Sequence, residues 1–143
     1  MDITIRRCIG SDASAVHKIV CQLEGKNLDK KAFIDIFNKR LENPDCFLSV
    51  AKDDLNILGF IHMKIDEQLH HANKVATIDE LVVLSGFRGQ GIGQKLLQRA
   101  VAQAKDAGCE CVELTSALER TDAHQFYERN RFDRWSIKFG MEL

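Results

Sequence analysis

Ile78-Asp79-Glu80-Leu81-Val82-Val83-Leu84-Ser85-Gly86-Phe87-Arg88-Gly89-Gln90-Gly91-Ile92-Gly93-Gln94-Lys95 is the stretch that decides how this chain folds. Its first half is rich in β-branched and apolar residues and reads as a strand. Three glycines in five residues (Gly89, Gly91, Gly93) follow, removing side chains where backbone must come close to something. A helix comes next, because Ile92, Leu96, Leu97, Ala100, Val101 and Ala104 form one apolar stripe. A helix start with bare amides carries partial positive charge, so the stretch reads as a strand leading into a phosphate cradle.

Spacing separates three motifs that build such a cradle. A Walker A loop accepts Gly86 and Gly91, but Ile92 stands where its lysine belongs. A dinucleotide fingerprint accepts Gly89 and Gly91, but Gln94 fills the last glycine position. Arg-x-x-Gly-x-Gly is met in full by Arg88, Gly91 and Gly93, after Leu81 and Val83 of the strand. A turn serving only strand–helix packing explains one glycine well and three poorly.

The remaining chain supplies a framework. Asp2–Cys8 alternates as a first strand, Ser11 offers an N-cap to a helix, and Gly25 closes that helix. Its apolar face is Ala15, Ile19, Val20 and Leu23. A second helix starts near Asp29, turns Phe33, Ile36, Phe37 and Leu41 inward, and stops at Asn43-Pro44. Strands over 46–51 and 57–65 form a hairpin around Asp53-Asp54, and a polar connection over 66–74 holds His70 and His71. The central strand spans 75–84, and Gly108 closes the helix after the cradle. A strand over 111–115 runs parallel to the central one, Asp122 caps a short helix, and 132–143 alternates as a final strand. The order β-α-α-β-β-β-α-β-α-β predicts one domain over residues 1–143. It is α/β (α+β in some schemes), a mixed sheet with helices on both faces.

Composition excludes several classes. With 143 residues and a net charge of -1, the chain is long enough for a real core and lacks a basic stripe for nucleic acid. No apolar run approaches the roughly 18 residues of a membrane span, and the N-terminus does not read as a signal peptide. The five cysteines (Cys8, Cys21, Cys46, Cys109, Cys111) are odd in number and scattered. Cys109 and Cys111 share a strand face, but no second pair completes a zinc set, so no metal ligands are assigned. Reduced thiols in a cytoplasm are the expectation.

The Arg88–Gly93 motif after its Leu-x-Val strand resembles the acetyl-CoA-binding motif of the GCN5-related N-acetyltransferases, whose element order matches nearly the whole chain. The resemblance implies a pantetheine arm lying between the central and following parallel strands. It implies a diphosphate on the amides of Gly89, Gln90, Gly91, Ile92, Gly93 and Gln94, Arg88 at the turn, and Leu81, Val82 and Val83 pairing with pantetheine. Acetyl transfer also needs a neutral amine. A lysine-like amine is neutral in about one molecule in a few thousand at pH 7, an obstacle of roughly 4–5 kcal/mol. Glu80 is the favoured base and Asp79 the second, since neighbours on a strand point to opposite faces unless a bulge intervenes.

The family places a tyrosine in a Phe-Tyr pair as general acid near the cofactor sulfur, which implies that role for Tyr127 beside Phe126. Arg120 replaces the family's usual asparagine seven residues earlier, and Arg131 its usual glycine, with Asn130 expected to take over the left-handed turn. Leu23 with Asp29-x-x-Ala32-Phe33, Leu69-His70-His71-x-Asn73, Glu80–Val83 and Asp122-Ala123-His124-x-Phe126-Tyr127 resemble one subgroup, the aminoalkylphosphonate N-acetyltransferases. That implies a small zwitterion such as aminomethyl- or 2-aminoethylphosphonate, and stimulation by a divalent metal. His124, Arg120 and His71 are candidates for the acceptor's anionic end. The subgroup has an acidic residue where this chain has Thr77. Other amines (a polyamine, an aminosugar, a protein amino group) and a non-catalytic acyl-CoA-binding module are the alternatives. Homodimers are frequent in the family, though no stretch of this sequence marks an interface.

Overall fold

A computed structural model describes residues 2–143, which form two compact units, one ending at Glu113 and one spanning Leu114–Leu143. In the first, β1 (Thr4–Arg7) leads through a 3-10 turn (Gly10–Asp12) into α1 (Ala13–Glu24) and α2 (Lys30–Glu42). Then come β2 (Cys46–Lys52), β3 (Ile57–Gln68), β4 (Asn73–Val83), α3 (Ile92–Asp106) and β5 (Cys111–Leu114). The strands lie in the order β1-β2-β3-β4-β5, the first four antiparallel. β5 begins beside the beginning of β4, where Glu110 N–H donates to the Lys74 carbonyl (2.9 Å), so the sheet is mixed as expected.

Helices cover both faces. A Cβ on Gly59 of β3 would lie 3.0 Å from Leu96 Cδ1 and 3.3 Å from Ile92 Cγ2, so this glycine lets α3 settle onto the sheet. Its neighbour Phe60 points the other way. Phe60 joins Val16, Ile19, Val20 and Phe37 of α1 and α2 in the core cluster. On the α3 side, buried Ser49 accepts from Arg99 Nε at 3.1 Å, so its hydroxyl is paired.

Local signals explain most boundaries. The Asp29 side chain accepts from Ala32 N–H (2.8 Å) and caps α2. Gly25 (φ 68) and Gly108 (φ 81) take the left-handed turns that follow α1 and α3. Six expectations fail. Ser11 does not cap α1; it lies in the 3-10 turn, and Asp12 stands at the N-cap with its carboxylate bonded to Arg6 and Ile9 N–H instead. Ile36 is 55% exposed, because the stripe of α2 is centred on Phe33, Ile34, Phe37 and Leu41. The 66–74 connection is short: β3 runs to Gln68 and β4 starts at Asn73, with Ala72 (φ 50) turning the corner.

The fourth failure lies in the second unit, which holds α4 (Thr121–Arg129) and no strand over 132–143. Trp135, Ile137, Phe139, Met141 and Leu143 are all exposed. Alternation tells which face a strand would bury, but a strand also needs a neighbour for its amides and carbonyls. Asp122 is not the cap of α4 either; Arg120 occupies that position, and Asp122 sits in the first turn.

A Schellman motif ends α4. Phe132 N–H donates to the Tyr127 carbonyl (3.0 Å) and Arg131 N–H to the Glu128 carbonyl (3.1 Å). Arg131 (φ 73), and not Asn130 (φ -95), takes the left-handed position, because it is the residue one past the cap.

Candidate active site

The β3–β4 hairpin places the carboxylates. Counted back from the turn, Gln68 faces Asn73 and Met63 faces Ile78, but His62 faces Glu80. Asp79 is therefore the extra residue of a β-bulge, which turns it off the regular alternation. Both acids then reach one imidazole: His62 Nδ1 lies 2.8 Å from Glu80 Oε1 and 3.9 Å from Asp79 Oδ2. Lys64 Nζ lies 3.6 Å from the same Asp79 oxygen. The His62 side chain is only 7% exposed, while that of Glu80 is 36% exposed. Among the described residues, His62 Nε2 is the buried side-chain atom without a hydrogen-bond partner.

His62 escapes a reading of sequence, since a lone histidine within Leu58–Met63 looks like core. The available signal was register. Without a bulge the hairpin sets His62 opposite Asp79, so an acid near this histidine was countable from the turn.

Beyond Glu80, residues Leu81, Val82 and Val83 pair with Ile61, Phe60 and Gly59 of β3. On the other side β5 has four residues and starts beside Lys74, so it ends before Leu81 is reached. Past the end of β5, that edge of β4 offers backbone groups of the kind an extended ligand pairs with, except the Val83 carbonyl, which accepts from Arg88 Nε.

The loop from β4 to α3 is shaped by Gly89 (φ 77) and Gly91 (φ 81). A Cβ at either would meet nothing within 4 Å, so these glycines serve conformation and leave open space. Gly91 is the N-cap of α3 with no side-chain cap, and no acid sits in the first turn. The amides of Ile92, Gly93 and Gln94 have no carbonyl within the helix, and Gln90 stands exposed beside them. Arg88 Nε donates to the Val83 carbonyl (3.1 Å), which pins the turn. The donor set suits a diphosphate: backbone amides, positive helix end, no competing carboxylate.

In the second unit, Tyr127 packs edge-on against Phe126 (5.5 Å) and Phe132 (6.0 Å). Burial pushes its phenol above the usual value, and the charge of Arg120 pulls the other way. His124 donates from Nε2 to the Ala117 carbonyl (2.8 Å), which ties α4 to the loop before it. His71 lies apart from Glu80, in the turn before β4; its Nδ1 is 2.7 Å from Glu110 and its Nε2 is 3.3 Å from Glu113. The buried Cys8 thiol is pushed up to about 12 by burial, with Asp12 adding to it, so it is no nucleophile.

Residues 14–132 match the model of the acetyltransferase (GNAT) family. The chain is 36% identical to the aminoalkylphosphonate N-acetyltransferase of Salmonella typhimurium, over 97% of this chain and 90% of that one. A crystal structure of a transcriptional regulator from Bacillus halodurans superposes with a TM-score of 0.91 at 25% identity, covering 99% of this chain and 100% of that one. The aminoglycoside N-acetyltransferase AAC(6')-Iy, solved in complex with CoA, superposes with a TM-score of 0.89 at 16% identity, covering 99% and 95%. The chain belongs to the acetyltransferase (GNAT) family and is an N-acetyltransferase. No helix among the described residues is long and apolar enough to cross a membrane.

Proposed function

We propose that the chain moves an acetyl group from acetyl-CoA directly to the primary amine of a small anionic acceptor, an aminoalkylphosphonate being the first choice. The observation that carries the chemistry is the Glu80 carboxylate, held by His62 one residue before the open edge of β4. Identity to the Salmonella enzyme over most of both chains supports the acceptor class.

Acetyl-CoA supplies an activated acyl group and a thiolate leaving group. The amides of Gly89–Gln94 hold the diphosphate, and the edge at Leu81–Val83 aligns the pantetheine amides. A β4 amide polarises the acetyl carbonyl. Glu80 takes the proton of the incoming ammonium, fixed in orientation by the His62 Nδ1–H donated to it. Asp79, shared with Lys64, is the reserve base. Tyr127, kept protonated by burial, returns a proton to the departing thiolate. Arg120 and His124 are proposed to meet the acceptor's anion; with its Nε2–H given to the Ala117 carbonyl, His124 donates to that anion only through a protonated Nδ1. We leave His71 out of acceptor binding, because Glu110 and Glu113 take both its ring nitrogens.

Release of free CoA, measured with aminomethylphosphonate, 2-aminoethylphosphonate, spermidine, glucosamine and a peptide N-terminus, tests this reading. The phosphonates should give the largest kcat/KM. Turnover confined to another amine replaces the acceptor, and CoA binding without release for any amine supports the binding-module alternative. Five free cysteines support a reducing compartment, and we place the enzyme in the cytoplasm. The exposed apolar residues of 135–143 support a homodimer, which sedimentation at equilibrium detects.

A further inference from the structure

We propose that His71, Cys111 and Glu113 form a site for one divalent cation of the zinc class, at the end of the sheet away from the chemistry. Their donor atoms, one nitrogen, one sulfur and one oxygen, all lie within 4.8 Å of one another. Asn73 to Glu80 covers about 23 Å of strand, so this place is separate from the carboxylates at His62.

The spacing fits tetrahedral coordination. Zinc–nitrogen and zinc–oxygen bonds of about 2.0–2.1 Å at a tetrahedral angle set the two ligand atoms about 3.3 Å apart. His71 Nε2 and Glu113 Oε1 are 3.3 Å apart. A zinc–sulfur bond of about 2.3 Å sets sulfur about 3.5–3.7 Å from that oxygen. Cys111 Sγ lies 3.9 Å from Glu113 Oε1, so a small side-chain adjustment completes the set.

The surroundings fit too. His71 Nδ1 is 2.7 Å from Glu110 Oε2, which gives Nδ1 the proton and points the Nε2 lone pair at the cluster. A neutral imidazole has one N–H, yet both ring nitrogens of His71 face carboxylates. A cation between Nε2 and Glu113 resolves that arrangement. Cys111 and Glu113 are two apart on β5 and share a face, while His71 comes from the β3–β4 turn. The three are partly exposed, which leaves a water the fourth position. On binding, the Cys111 thiol releases its proton to solvent and the thiolate bonds the metal. The cation then fastens the β3–β4 turn to β5.

The test is a Co2+ titration of the purified full chain after chelator treatment. One equivalent should bind with a near-ultraviolet thiolate-to-cobalt charge-transfer band. Cys111→Ser should abolish that band, and Glu110→Gln should weaken binding about 10- to 100-fold while keeping it. Should Cys111→Ser unfold, the unaltered protein decides: Zn2+ should slow alkylation of Cys111 at least about tenfold relative to the partly exposed Cys21, read by mass spectrometry. Stoichiometric binding without the band, a band retained in Cys111→Ser, no saturable binding, or unprotected Cys111 each overturns the site. His71 is then held by its contacts with Glu110 and Glu113 alone.

Discussion

His62 Nδ1 and Glu80 Oε1 are 2.8 Å apart across the β3–β4 hairpin, joined by a bulge that makes Asp79 the odd residue. The ring is buried and the carboxylate is open to solvent, which suits the proposed division in which His62 orients and Glu80 meets the amine. Glu80→Gln should lower kcat about 10²- to 10³-fold at pH 7. The loss should shrink as pH rises, because a larger share of the amine is already neutral. Asp79→Asn should cost far less. A pH–rate series on both variants checks this, and equal losses would make the bulged residue the base.

Tyr127 is held by its Schellman turn, with Phe132 against its ring. Tyr127→Phe should keep CoA affinity and lower kcat about 10²-fold. The acid must be protonated to act, and burial raises its pKa, so the wild-type alkaline limb from this group should lie above pH 10. Steady-state rates from pH 6 to 10.5 read both effects.

Asp12, almost fully buried, accepts two bonds from Arg6 (2.8 and 3.0 Å) and one from Ile9 N–H. Burial pushes its carboxyl up, but the Arg6 and Ile9 bonds and the charges of Arg6 and Lys52 together hold it below the usual carboxylate range. A depressed folded pKa adds stability that is present above the unfolded value of about 3.9 and disappears as pH falls through the folded one. Asp12→Asn should therefore cost about 2 kcal/mol near neutral pH, with the gap closing below about pH 3.9. Urea unfolding at both pH values measures it.

Arg131 occupies a left-handed turn at φ 73 that a Cβ disfavours by about 1–2 kcal/mol. Arg131→Gly should raise stability by about 1 kcal/mol without altering kcat. Thermal unfolding with a parallel rate assay tests it, and a fall in stability would show that the arginine side chain contributes more than the turn costs.

The glycine turn before α3 was legible because conformation needs glycine at Gly89 and Gly91, and the caps at Asp29, Gly25 and Gly108 were legible because they act within one turn. What stayed hidden depends on partners distant in sequence. The bulge at Asp79 is a property of two paired strands, and His62 gains meaning only from the residue across from it. Ser11 failed as a cap because Asp12, bonded to Arg6, took the start of α1. The tail from Phe132 carries strand alternation but has no strand pairing among the described residues.

The account rests on backbone amides gripping a diphosphate, and following amide resonances by NMR during a coenzyme A titration tests that most directly. Gly89, Gly91, Gly93 and Gln94 should shift most, and Gly91→Ala, forced to hold a Cβ at φ 81, should lose binding. Saturable binding that leaves those four resonances in place would contradict it.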